Sequence, residues 1–401
     1  MQKILEKITF ALLISIWLSH LVQVFTPEVG FDAVWYHLPV IKTILEQKKM
    51  VFLPNLYQSA NPLGSDLIFG IGFSWGGELG AKVVAYLFGL LLMAACYLLS
   101  KKFLNRFWSL VVVLIISTFQ VVAWQSASFY VDVAKAFWEI SALWALLNWQ
   151  KFESTRWLVL SALLLGASLA TKLFSLFLLP MMLVLVWLWS KDHHLKKLII
   201  FLSSALFLPL PFYVFAYLKT GNPFFSFIAH LDKLSEIGGN GSLVFYFWER
   251  TQQLISFPNQ LLVGKDYTSI ILLLFFPILI WLYREIRENK FILGISLFVV
   301  TQMALWWYLP PLSTRYTLSG FIVWTIVSIW GAAKLIKTNK RFYQPILVTI
   351  LLAVLINVIP RVYVNYRSFQ YILGIQTKEE YIHQFLDGNI DQHLIKWHQL
   401  D

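Results

Sequence analysis

Apolar stretches of roughly 17 to 25 residues recur along the whole chain, the length that a hydrocarbon core of about 30 Å requires. They predict eleven helical spans, over 8–25, 80–100, 107–124, 132–149, 156–171, 173–190, 198–218, 268–283, 291–309, 316–333 and 343–360. The expected fold class is therefore all-α, a polytopic membrane helical bundle. Two long segments, 27–79 and 219–267, break the rhythm. In the first, the stretch from Leu38 to Met50 puts Leu38, Ile41 and Leu45 on one side and Lys42, Glu46 and Lys49 on the other. That pattern predicts a helix lying at the membrane interface. The second opens on a turn signal, Lys219-Thr220-Gly221-Asn222-Pro223. Its Gly238-Gly239-Asn240-Gly241 run reads as a flexible turn, too irregular for a nucleotide fingerprint. No short-period repeat is visible.

Composition agrees with the pattern. Of 401 residues, 58% are hydrophobic, 17% aromatic and only 13% charged, against roughly a quarter charged in a soluble globule. This leaves no soluble domain of useful size, and divides the chain into a transmembrane domain over 1–360 and a short outer tail over 361–401. The net charge of +11 is spread over short clusters between apolar runs, which argues against a groove that tracks nucleic acid. The single Cys96 lies within an apolar run, so neither a disulfide framework nor a cysteine metal site is expected. The first apolar helix lacks a small-residue cleavage site and leads into Thr26-Pro27-Glu28, so it reads as a retained helix rather than a signal peptide.

Charge orients the bundle. With the N-terminus inside, Lys3, Lys7, Lys101, Lys102, Arg106, Lys151, Arg156, Lys191, Lys196 and Lys197 fall in cytoplasmic segments, as do Arg284, Arg287, Lys290, Lys334, Lys337, Lys340 and Arg341. The outer segments are longer yet poorer in Lys and Arg, as the positive-inside rule requires. Eleven spans then put the C-terminal tail outside. In this arrangement Asp32, Asp132, Lys172 and Arg315, widely separated in sequence, all come to the outer ends of helices.

Asp32 follows the first helix, in Gly30-Phe31-Asp32-Ala33-Val34-Trp35-Tyr36-His37. A solvated loop acid is the plain explanation. The aromatic patch after it would shield the carboxylate, and partial desolvation would make it a usable general base. Asp132 opens the fourth span, where capping the helix would account for it. Lys135 and Glu139, at i+3 and i+7, fall within about 60° of it and give one polar face. Ionisable groups inside a span normally face the bundle interior or a wet cavity, although an internal Lys135–Glu139 pair has a purely structural reading. Lys172 interrupts an apolar run in a tight turn, and Arg315-Tyr316 follows Pro310-Pro311 at the start of the tenth span. Either cation suits a lipid phosphate, and plain anchoring to headgroups explains them equally well. The histidines form no metal motif: His193-His194 is cytoplasmic, and no spacing obliges His37 and His230 to join Asp32 or Glu78 around an ion. The cofactor stays unknown, with a divalent metal ion left open.

These residues together resemble the GT-C superfamily of membrane glycosyltransferases, and most nearly its bacterial relatives of protein O-mannosyltransferase and of the lipid A aminoarabinose transferase. The resemblance runs over most of the chain. It rests on Asp32 after the first helix, Tyr36, the interfacial stretch 38–50 and Asn61-Pro62-Leu63 before the second helix. It rests further on Glu78-Leu79-Gly80-Ala81-Lys82, similar to a Glu-x-x-x-Arg motif, on Asp132, and on Gly166 to Lys172 as a Gly-x-x-x-x-Thr-Lys turn followed by Pro180. Gly221-Asn222-Pro223, Arg315-Tyr316 and Lys378-Glu379-Glu380-Tyr381 also have counterparts. The chain departs from the pattern in having Asn61-Pro62 where Pro-Pro is usual, in carrying Lys135 and Glu139 within the fourth span, and in lacking the large outer domain of many relatives.

The resemblance implies an inverting hexosyl- or pentosyltransferase of the cell envelope, mannosyltransferase-like. It would move a sugar from a polyprenyl-phosphate donor to a lipid, glycan or protein acceptor on the outer face of a bacterial inner membrane. Asp32 would be the general base and Asp132 its catalytic partner. Tyr36, His37, Pro62, Glu78, Lys172, Arg315 and Tyr316 would bind substrate, the two cations stabilising the departing lipid phosphate. The competing expectation is a polyprenyl-lipid transporter or flippase, or a non-catalytic lipid-binding subunit. A secondary transporter should show repeated halves and broken midplane helices, and neither is evident. A lipid-binding subunit would share the cations but would have no need of the Asp32 and Asp132 pair.

Overall fold

A computed structural model describes residues 2–226, 243–263, 267–309, 313–386 and 391–399. The chain is 82% helical, and the described residues form no β-strand. Helices occupy all eleven segments that the apolar pattern marks. They begin with α1 (Gln2–Val24), α2 (Leu38–Gln47), α3 (Gly64–Ser100), α4 (Arg106–Ser117), α5 (Gln120–Gln125), α6 (Asp132–Phe152) and α7 (Thr155–Leu169). There follow α8 (Leu178–Trp189), α9 (His194–Phe207), α10 (Leu210–Thr220), α11 (Leu243–Gln252) and α12 (Phe257–Val263). The series closes with α13 (Ile271–Leu274), α14 (Phe276–Trp281), α15 (Tyr283–Glu288), α16 (Lys290–Tyr308), α17 (Leu318–Thr338), α18 (Tyr343–Ile372), α19 (Lys378–His383) and α20 (Asp391–His398).

Five of these stretches are by themselves long and apolar enough to cross a membrane: Gln2–Val24, Gly64–Ser100, Lys290–Tyr308, Thr314–Thr338 and Lys340–Ile372. The bent pair α9 and α10, at 61°, makes a sixth. The remaining segments fall short for local reasons. Helix α4 stops at Ser117 before α5 begins at Gln120, Pro277 sits in the first turn of α14, and α6 carries Asp132, Lys135, Glu139 and Lys151 along its length. The full count of eleven spans is thus not reproduced. Counting apolar residues overlooks the breaks that Pro and short turns put into apolar runs.

The first outer segment is more structured than an interfacial loop. Helix α3 begins within it, at Gly64, and is broken where Gly76 (φ −140°, ψ 19°) and Gly77 (φ 57°, ψ −142°) leave helical geometry. The two arms then fold back closely. A Cβ on Gly80 would lie 2.0 Å from the Gly72 carbonyl oxygen, and one on Gly72 would lie 2.4 Å from that of Gly80. Only two glycines allow backbones so near. Helix α2 forms as expected, but its buried face is Leu38, Val40, Ile41 and Ile44, whereas Leu45 is exposed. The face is set by packing against α3 rather than by the mean apolar direction of the stretch. It joins Leu63, Phe69, Phe129 and, from the C-terminal tail, Ile382 and Leu394 in a separate outer core. Helix α18 runs on past Pro360 to Ile372, and the tail helices α19 and α20 pack back on this layer.

Within the bundle, Lys135 and Glu139 are both 1% exposed and lie 3.0 Å apart. Glu139 accepts from Ser168 and Ser175 at 3.0 Å each and from Ser319 at 2.5 Å, and Lys135 donates to the Tyr316 carbonyl at 2.9 Å. One charge pair therefore ties α6 to α7, to the turn after it and to the start of α17. That supports the structural reading of these two residues.

Two predictions follow from this packing. Gly80→Val should lower the stability of the detergent-purified protein by at least ~1–3 kcal/mol, since the clash is with backbone, and a thermal melt would register it. Lys135→Met should cost ~3–5 kcal/mol by stranding a buried carboxylate, while the double substitution Lys135→Met with Glu139→Leu should recover much of that loss. Denaturant midpoints of the two proteins test the difference.

Candidate functional site

Asp32 precedes a single π-helical turn, Ala33–His37, a feature that often re-aims side chains near functional positions. The loop before it is pinned by Glu28, whose carboxylate accepts from the Gly30 amide at 2.8 Å, the Ser128 hydroxyl at 2.6 Å and the Phe129 amide at 2.8 Å. Gly30 allows close approach, because a Cβ there would meet the Tyr130 ring at 2.5 Å. The Asp32 amide then donates to the Tyr130 hydroxyl at 2.9 Å. Burial, with Asp32 adding to it, holds the Tyr130 phenol well above the usual phenol range, so the hydroxyl stays neutral. In this way the loop after α1 is fastened to the residues just before α6, and two distant carboxylates share one frame.

Each carboxylate has its own cation. Asp32 Oδ2 lies 2.7 Å from Arg315 Nη1, and Asp132 Oδ1 lies 2.5 Å from Lys172 Nζ. Gln125 Nε2 donates to the other Asp132 oxygen at 3.1 Å. Tyr316 joins the two pairs: Lys172 Nζ sits 4.3 Å from its ring centroid and the Arg315 guanidinium 5.0 Å, while Arg315 Nη2 donates to its hydroxyl at 3.2 Å. Phe174 stacks on Tyr316 at 5.1 Å, and Arg315 also faces the Tyr130 ring at 5.4 Å. The charges are unequally reached by solvent. Within the Lys172–Asp132 pair the cation is 18% exposed and the carboxylate 1%, whereas Arg315 and Asp32 are nearly alike at 16% and 11%. Two partly accessible cations beside aromatic edges are chemistry for an anion.

The structure brings Asp32, Asp132, Lys172, Arg315 and Tyr316 together, as the sequence suggested. Tyr36 is buried beside them, its phenol raised well above the usual range by burial and then by Asp32. His37 turns inward: its ring lies 4.0 Å from that of Tyr36, and its Nδ1 pairs with the Asp66 carboxylate. Pro62 is buried in a turn that packs on the Lys172 turn, where the Gly64 amide donates to the Ala170 carbonyl at 2.7 Å and Ser65 bonds Thr171 at 2.7 Å. Its contribution is to place that turn. Glu78 has separate partners, the Glu28 amide at 3.1 Å and the Trp397 indole at 2.5 Å. It lines a cavity of about 860 Å³ with Trp35, Lys42, His393 and Lys396. Among the described residues no three His, Cys, Asp or Glu side chains are arranged to hold a metal ion. Of the four residues weighed around an ion, Asp32 pairs with Arg315, His37 with Asp66 and Glu78 with Trp397, and His230 lies outside the described residues, as do Pro310-Pro311 and Gly238–Gly241.

Sequence reasoning missed Gln125, Tyr130, Phe174, Glu28 and Asp66. Gln125 and Asp66 are polar residues among apolar ones, a signal that was available; Tyr130 and Phe174 are indistinguishable from ordinary core aromatics until the fold is known.

Residues 65–216 match the family model described as dolichyl-phosphate-mannose-protein mannosyltransferase. No curated protein sequence matches the chain significantly. Among solved structures it is similar to ArnT from Cupriavidus metallidurans bound to undecaprenyl phosphate, at 13% identity and a TM-score of 0.55, over 81% of this chain and 59% of that one. It is also similar to the oligosaccharyltransferase of Archaeoglobus fulgidus in complex with zinc and sulfate, at 14% identity and a TM-score of 0.59, over 89% of this chain and 53% of that one. A third is the archaeal oligosaccharyltransferase AglB from the same organism with an inhibitory peptide and a dolichol-phosphate, at 12% identity and a TM-score of 0.54, over 90% and 56%. The chain spans less than two thirds of the length of each. At these identities the likeness is one of fold: the chain shares the fold of these solved proteins, and its residues 65–216 are similar to the dolichyl-phosphate-mannose-protein mannosyltransferases.

Proposed function

We propose that the protein is a multi-pass membrane glycosyltransferase that takes a sugar from a polyprenyl-phosphate donor and transfers it, with inversion, to an acceptor hydroxyl on the outer face of the membrane. The observation that carries this reading is the paired cluster Asp32–Arg315 and Asp132–Lys172 around Tyr316, in which both cations are partly exposed and only Asp132 is closed to solvent. A lipid phosphate entering at the interface competes with the two carboxylates for Arg315 and Lys172. Arg315 suits a bidentate grip and Lys172 a point charge. Engaging Arg315 with phosphate would free Asp32. The acceptor oxygen then attacks the anomeric carbon, its proton passes to Asp32, and the sugar–phosphate bond breaks with its electron pair going to the lipid phosphate. The charge that builds on that phosphate is met by cations already in place, a preorganised arrangement that needs little reorganisation. Asp132, held by Lys172 and Gln125, keeps the lysine aimed. The likenesses to proteins solved with undecaprenyl phosphate and dolichol-phosphate support a lipid-linked donor.

The test is transfer of labelled sugar from a panel of polyprenyl-phosphate monosaccharides in membranes containing the full chain. Asp32→Asn should reduce transfer by about 10²–10⁴-fold, the range for a lost general base, with donor binding retained. Arg315→Met should cost about 10²–10³-fold, the effect of removing one preorganised electrostatic partner. Full activity in correctly inserted Asp32→Asn protein would remove the base assignment. No transfer by wild type from any donor, with lipid phosphate still bound, would favour a flippase or lipid-binding subunit.

A further inference from the structure

Away from the paired cluster, the bundle holds another cation that no carboxylate among the described residues answers. Arg361, on α18, is 6% exposed. Its guanidinium donates from Nη1 to the Gln23 side chain and from Nη2 to the backbone carbonyls of Ser19 and His20 at 3.2 and 3.3 Å. These acceptors are neutral. Among the described residues no Asp or Glu lies within salt-bridge distance, and its Nε has no hydrogen-bond partner. Asn365, one turn on, spends its amide nitrogen on Ser19 Oγ at 2.7 Å and leaves its carbonyl oxygen unpartnered. A cation at membrane depth is costly unless a counter-charge reaches it.

Arg361 and Asn365 both line a groove of about 560 Å³ between α1 and α18. Its walls are apolar, among them Leu12, Ile16, Leu351, Leu355 and Val358. None of the paired-cluster residues lines it. The groove opens sideways from the bundle, because Leu12, Leu351, Leu355 and Tyr366 are each at least 41% exposed. On helices that cross a membrane, such residues face hydrocarbon. Tyr363 and Tyr366, also exposed, mark the interfacial depth where aromatic rings gather. Arg361 therefore sits just beneath the headgroup level, at the polar end of an apolar slot.

We infer that this groove binds a bilayer phospholipid with an anionic headgroup, one acyl chain lying between α1 and α18 and the phosphate meeting Arg361, with Asn365 and Tyr366 at its rim. The surrounding medium supplies chains at this depth, and the unanswered guanidinium selects for an anion among them. The site is independent of the glycosyltransferase reading and rests on α1 and α18 spanning the membrane.

Native mass spectrometry of the full chain in detergent, offered equal amounts of phosphatidylglycerol and phosphatidylcholine, tests it. Wild type should retain phosphatidylglycerol with a preference of about five- to ten-fold, the scale that one cation confers near a bilayer surface. Arg361→Gln should bring the preference to parity. Leu355→Trp, which fills the groove at an exposed position and keeps the arginine, should lose the retained lipid while the protein elutes as a single folded species. Equal retention of both lipids by wild type, or an unchanged preference in Arg361→Gln, would overturn the assignment. Displacement of phosphatidylglycerol by glycerol 3-phosphate would make this a free-phosphate site. Displacement by an equal amount of polyprenyl phosphate would make it a carrier site instead.

Discussion

One end of this molecule is organised by the contact between Asp32 and Arg315. One partner follows the first helix and the other lies in the turn just before the seventeenth, so the 2.7 Å pair joins segments far apart in sequence. A pair this poorly exposed has lost much of its hydration, and its Coulomb attraction offsets that only with good geometry and further hydrogen bonds. The surroundings supply both. Tyr130 accepts from the Asp32 backbone and offers its ring to Arg315, and Tyr316 accepts from the guanidinium. Lys135, from inside the bundle, fixes the Tyr316 backbone. The buried pair Lys135–Glu139 thus supports the outer pair from beneath, a reason for charge in the middle of α6 that has nothing to do with a reacting group.

The same interaction explains why the first outer segment is ordered. Its apolar residues need a surface to pack on, and an interfacial helix alone would slide. Here Glu28 anchors the loop through three donors, the Gly72–Gly80 contact folds α3 back on itself, and Ile382 and Leu394 from the tail close the outer core. The tail indole of Trp397 and the Glu28 amide both end on Glu78. That residue is better understood as a clamp between loop and tail than as part of the charged cluster.

How much of this could be read in advance depends on the kind of residue. Asp32, Asp132, Lys172 and Arg315 were legible because an ionisable side chain among apolar ones needs a reason, and because charge placed all four on one side of the membrane. Their pairing was not. The spacing of Asp32 and Arg315 in sequence says nothing about distance, and each cation had been assigned to a phosphate rather than to a carboxylate. Leu45 was misplaced because a ten-residue helix offers several directions of similar apolar weight, among which tertiary packing chooses. The count of eleven spans is not confirmed, because hydropathy sums along a run and does not register a break such as that between Ser117 and Gln120. His37 was read as a substrate residue, whereas the structure pairs its ring with Asp66, a residue that the sequence reading did not single out.

The pairing also changes what the proposed chemistry demands. Bare cations waiting for a lipid phosphate would be expensive in a site this dry. Carboxylates that neutralise them in the resting protein reduce that cost, and they make phosphate binding an exchange of anions rather than a gain of one. Such an exchange couples two events that a transferase needs to keep in order. In the proposed mechanism Asp32 is released to meet an acceptor proton only when the donor phosphate has claimed Arg315, so an acceptor arriving first would find the carboxylate already engaged. Asp132 faces a different balance, since Gln125 and Lys172 hold it on both oxygens and its side chain is closed to solvent. On these grounds the two acids divide into one that moves between partners and one that stays to aim a cation.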